Sequence, residues 1–142
     1  MTQQEIFDTV LAHLRKQGEA SVNDVDDMEQ CQYRGPGGTS CAVGCLIPDE
    51  LYDPLIENAS VIQIMEGYVP YGRERDGPKL LPIMTRIAKH LGAEHLHLLQ
   101  ELQDAHDYPL ADHGFPAWED RMRSIARDLS LEYKPVEGGD QS

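Results

Sequence analysis

The stretch CQYRGPGGTSCAVGCLI, residues 31–47, holds all three cysteines of the chain and four of its twelve glycines. Cys31 to Arg34 is made of residues that suit a strand, the GPGG at 35–38 forces a turn, and Thr39 to Cys41 can return as a second short strand. This predicts a small β-hairpin near residues 31–41. The apolar run CAVGCLI that follows is too rich in small residues for a long strand. With Thr39 or Ser40 as cap it predicts one or two helical turns before Pro48. No other segment asks for strands, so this one decides the class: α+β, mostly helical, with one small hairpin.

Working towards the N-terminus, EASVNDVDDMEQ (19–30) has five acids, no base and no period. It reads as an exposed linker with room for one short turn at Ser21–Asp24. Before it, Thr2 and Glu5 form a capping box, and Ile6, Phe7, Val10, Leu11 and Leu14 recur at helical spacing up to the stop at Gly18. Towards the C-terminus, Pro48 and Pro54 are placed to start short helices. Ser60 caps another, with Val61, Ile62, Ile64 and Met65 inward and Gly67 at its end. GYVPYGRERDGP (67–78) is a loop. KLLPIMTRIAKHLG (79–92) predicts a helix from Pro82, which a first turn tolerates, to Gly92. AEHLHLLQELQDAHD (93–107) predicts one burying Leu96, Leu99 and Leu102. PAWEDRMRSIARDLSL predicts a last helix on Trp118, Met122, Ile125, Ala126 and Leu129. The tail 134–142, KPVEGGDQS, is polar and reads as disordered, leaving a single globular domain over 1–133.

Composition narrows the class. At 142 residues, 40% hydrophobic and 26% charged, the chain can bury a core and is not of the disordered type. No apolar run approaches the ~20 residues that span a bilayer, and MTQQEIFDTV lacks the features of a signal peptide. An odd cysteine count without an export signal argues against a disulfide framework and for a reducing cytoplasm. The formal net charge is −13. Such a chain is repelled by nucleic-acid phosphates and anionic membranes and is steered towards basic protein surfaces.

Several chemistries can be weighed on the residues. A zinc site needs four ligands, and only Cys41-x₃-Cys45 has ligand-like spacing. Cys31 would have to supply a third ligand across the hairpin, and His106 or His113 the fourth. A nucleophile is conceivable if Cys41 begins a helix, where the positive helix end lowers a thiol pKa. It would need His106 as base, held by Asp104 or Asp107. RGPGGTS (34–40) could cradle an anion, with Arg34 as partner, but lacks the G-K-[ST] of a phosphate loop and reads first as a turn. His95 and His97, two apart on a helix, point different ways. None of these patterns calls for a cofactor. What remains is surface: the acids Asp24, Asp26, Asp27 and Glu29, the aromatic and arginine loop Tyr68, Tyr71, Arg73 and Arg75, and Tyr33 and Arg34 as outward-facing groups of the hairpin.

CQYRGPGGTSCAVGCLIPDELYDPLIE (31–57), preceded by an EIFD…LRKQG helix and followed by an LQ…HD segment and a late Trp helix, resembles a family of small proteins encoded mainly by phages and prophages. The resemblance spans roughly residues 2–130. The family carries no assigned reaction. It implies a non-enzymatic, host-directed accessory role in the bacterial cytoplasm, binding an enzyme, transcription factor or defence component. The acidic composition agrees with a basic, nucleic-acid-handling target, held by charge mimicry. A zinc-stabilised domain on Cys31, Cys41 and Cys45, and a thiol or histidine enzyme on Cys41 and His106, stand as the alternatives.

Overall fold

The computed structural model describes residues 1–25 and 28–136. Asp26 and Asp27, and residues 137–142 of the polar tail, lie outside the described residues. Helix α1 (Gln3–Gln17) is closed at both ends by local chemistry. The Thr2 hydroxyl accepts the Glu5 N–H, the Glu5 carboxylate accepts the Thr2 N–H at 2.7 Å, and Gly18 adopts the left-handed conformation at the C-terminus. Its inner face, Ile6, Phe7, Val10, Leu11 and Leu14, is buried as the spacing predicts.

Helix α2 (Val61–Glu66) repeats this construction with Ser60, Gln63 and Gly67. Helix α3 (Gly77–Leu91) starts five residues ahead of the predicted Pro82, with Pro78 in its first turn, and buries Leu80, Met84, Ile87 and Leu91. Helix α4 (Leu96–Ala105) contacts α1, α2 and helix α5 (Phe115–Asp128), which makes it the axis of the core. Leu98, Leu99 and Leu102 of α4 and Trp118 of α5 are sealed from solvent. Each such side chain contributes roughly 1.5–3 kcal/mol by burial. Between α4 and α5 the chain does not stop at Asp107. It continues as a π-helical segment, His106–His113, with Pro109 inside it. No helix among the described residues is long and apolar enough to cross a membrane.

The molecule is therefore mostly helical α+β with a two-stranded antiparallel hairpin, but the ladder lies upstream of its predicted position. Strand β1 (Val22–Val25) pairs with β2 (Met28–Cys31), with Val22 opposite Cys31 and Asp24 opposite Glu29. The acidic segment read as a linker thus forms the strands. Its ends explain why: the Gln32 N–H donates to the Ser21 carbonyl, and the Ser21 N–H is fixed to a buried histidine. The 31–41 segment contributes a single antiparallel bridge, Arg34 to Ser40, that closes the GPGG turn.

The tip of that turn, Pro36 to Gly38, is exposed, while the residues on either side of it are packed. Gly37 and Gly38 have φ of 71° and 78°. Gly44 is required for a different reason. A Cβ there would lie 2.1 Å from the Tyr33 carbonyl oxygen, so the helical turn Gly44–Leu46 seats against the Tyr33 backbone, ahead of the GPGG turn, only with glycine at 44.

Candidate functional site

Tyr33 and Arg34, expected to face outward, are structural. Tyr33 is buried and donates its hydroxyl to the Ala59 carbonyl at 2.6 Å. The Arg34 guanidinium lies 4.7 Å from the centre of the Tyr52 ring and donates to Asp49 and to the Ile47 carbonyl. Glu57 ties these pieces together. Its two carboxylate oxygens accept the Tyr33 and Arg34 backbone N–H groups at 3.0 and 3.1 Å, and Oε2 also accepts the Tyr52 hydroxyl. Arg73, expected in an exposed cluster, is half-buried and donates to the Leu55 and Glu57 carbonyls. The rest of that cluster is exposed: Tyr68, Tyr71 and Arg75.

The cysteines separate. Cys41 is fully buried, and burial pushes its thiol up, opposite to the lowering expected of a helix start. Its sulfur accepts the Gly44 N–H. Cys45 is pushed up to about 12 by burial and its thiol donates to the Ala42 carbonyl. Among the described residues, the group whose donor atoms lie within 4.8 Å of one another is Cys31, His106 and Asp107. It includes neither Cys41 nor Cys45, so the predicted four-ligand set is not assembled, and His113 is exposed elsewhere on the π-helical segment.

The ring of His106 has both nitrogens engaged. The Ser21 N–H donates to Nε2 at 2.9 Å, which leaves the ring proton on Nδ1, where the Asp107 carboxylate accepts it at 3.0 Å. A metal at Nδ1 would have to displace that proton while Nε2 still accepted the amide, leaving an imidazolate. The donor set therefore does not fit a metal without releasing the hairpin. The same bonds deny His106 to a thiol as general base. Cys31, the cysteine that does face this group, is pushed up to about 12 by burial and then by Asp107. As a nucleophile it is switched off.

Around this anchor the structure opens two adjoining clefts that share Cys31, Asp107 and Tyr108. The first, of about 390 Å³, runs between the start of α2 and the outer face of α4 and is lined by Asn58, Ser60, Gln63, Gln100, Gln103 and Asp104. The second, of about 430 Å³, lies between the hairpin and the π-helical segment and adds Glu29 and Asp112. Neither has a lysine or arginine among its described lining residues. Asp104 feels the result: its carboxyl pKa is raised by burial and then by Asp107 and Glu101, with Arg121 a partial counterweight.

Of the acids singled out in the hairpin, Glu29 reaches the second cleft and Asp24 is exposed on the neighbouring strand. Sequence reasoning missed Gln63, Gln100, Gln103 and Asp112, which are distant in the chain and meet only once α2, α4 and the π-helical segment pack. No family model matches the chain, and no curated protein or solved structure does.

Proposed function

We propose that the chain is a non-enzymatic accessory protein of phage type that acts in the bacterial cytoplasm by binding and modulating a host protein through that protein's basic surface. One observation carries the reading. Glu29, Asp104, Asp107 and Asp112 line two joined clefts that have no lysine or arginine of their own in the described lining. A lysine or arginine entering from a partner meets carboxylates that already repel one another, and relieves that repulsion.

The surrounding groups suit the same guest. The Gln100 side chain lines the first cleft and offers an amide acceptor there. Tyr108, exposed between the two clefts, offers a ring face to a guanidinium, worth about 0.5–1 kcal/mol at an exposed position. A basic surface that otherwise holds nucleic acid would meet here carboxylates in place of phosphates, which is the sense in which the protein acts by charge mimicry.

Affinity capture from bacterial lysate at low and high salt tests this, using the wild type beside Asp104→Asn/Asp112→Asn. Recovery of a specific partner at low salt, reduced by the double substitution, is expected. Undiminished recovery by the variant would move the contact off the clefts, and no partner at low salt would end the reading. Displacement of the captured partner by added duplex DNA is the expected signature of mimicry.

A further inference from the structure

The cations without a carboxylate partner among the described residues are concentrated in one segment. Residues 67–92 hold five of the twelve lysines and arginines but only two of the twenty-five acids. Seven of the twelve cations pair with carboxylates. Lys16, Arg75, Lys79, Arg86 and Lys89 have no carboxylate partner among the described residues, and four of these five lie in or just before α3. Helix α3 itself contains no acid.

Helical geometry puts Lys79, Arg86 and Lys89 in one row opposite the buried Leu80, Met84 and Ile87, over about 15 Å of axis. Helix stability does not account for the row. Lys89, in the last turn, is favoured by the helix dipole, but Lys79, in the first turn, is disfavoured by it. Arg86 and Lys89, three apart, repel. All three side chains of the row are exposed.

We propose that the outer face of α3 is a second docking surface, for a short acidic protein segment. Its carboxylates pair with Lys79, Arg86 and Lys89. Charge decides among occupants. A nucleic acid duplex brings one negative charge for each ~1.7 Å and is repelled by the remaining surface of this strongly acidic molecule. A second copy brings a net charge of −13 against −13. A short acidic segment brings only the few charges that the row can neutralise. This surface is distinct from the acidic clefts and does not depend on their reading.

The experiment titrates two labelled probes at low salt: an all-glutamate peptide and a single-stranded oligonucleotide of equal charge. The wild type is compared with Lys79→Glu/Arg86→Glu/Lys89→Glu and with the milder Lys79→Gln/Arg86→Gln, which serves if the reversal fails to fold. Three exposed ion pairs set the expected loss for the charge reversal at about tenfold. The glutamate peptide is expected to bind wild type more tightly than the oligonucleotide, and Asp104→Asn is expected to leave that binding unchanged. No binding to wild type, equal binding to both α3 variants, or tighter binding of the oligonucleotide would each overturn the proposal. So would self-association in sedimentation that the α3 variants abolish, since it would seat a second copy on this face.

Discussion

Asp104 and Gly44 show how much a single position can decide. For Asp104 the sign follows from its raised pKa. The folded chain holds the carboxyl proton more readily than the unfolded chain, so folding stability falls as pH rises from about 3.8 through the elevated folded value. Asp104→Asn is expected to be slightly more stable than wild type near neutral pH, with the gap closing on acidification. Urea midpoints at the two pH values check it, and a gap that widens in acid would contradict the assignment. Glu119 has the opposite sign. Burial would raise its carboxyl, yet the hydrogen bonds from Arg15 and Tyr133 prevail and lower it. Its contribution is complete above about 4.5 and is lost as pH falls through the depressed folded value. For Gly44, a methyl group would meet the Tyr33 carbonyl at 2.1 Å, whereas at Gly37 it meets nothing within 4 Å and only the positive φ opposes it. Gly44→Ala is expected to cost about 1–3 kcal/mol or more and Gly37→Ala about 1 kcal/mol. Denaturant unfolding of the pair tests the order.

At the level of elements, the hairpin is held by one buried ring. His106 accepts the Ser21 N–H from the π-helical segment, so His106→Phe would bury that amide without a partner, at about 1–3 kcal/mol. The expected signature in hydrogen exchange is loss of protection at the Ser21, Gln30 and Gln32 amides while α1 stays protected. Protection unchanged in the hairpin would show that the strands stand without the anchor. This contact also marks where the sequence ceased to be readable. Helices whose ends are built from neighbours three residues apart, Thr2 with Glu5 and Ser60 with Gln63, are legible because every participant is local. The strands at 22–31 are not, because acids with no alternation pair there through an attachment eighty-five residues away. Pro109 misleads for a related reason. Its missing N–H and its ring forbid a regular α-turn, which reads as a stop, but the chain answers by widening to π geometry and so aims Asp107 and Tyr108 at the clefts. The cysteine motif looked chemical because three thiols are close in sequence. Packing turned one inward, tied the second to its own turn and left the third beside Asp107.

For the whole molecule, net charge was legible at once and its distribution was not. A sum of −13 predicts self-repulsion, and moderate salt is expected to raise the melting temperature as that repulsion is screened. Thermal scans at increasing sodium chloride check this, and a flat or falling response would mean that the paired cations already balance the field. The separation of an acidic cleft face from the basic face of α3 could not be read from the chain, because it depends on which cations find carboxylates. It gives the protein two surfaces that salt weakens and that opposite charge reversals tell apart. The Glu57 knot bears on how such a molecule can change over time. One carboxylate holds two backbone amides and a tyrosine, and an arginine holds the carbonyl of the same residue. A substitution at Tyr33, Tyr52, Glu57 or Arg73 is penalised unless its partners change with it, so drift is channelled away from this string. The cleft rims and the outer side of α3 are free of that restraint. Two chains sharing the string can therefore inherit one architecture and still part company in what they bind.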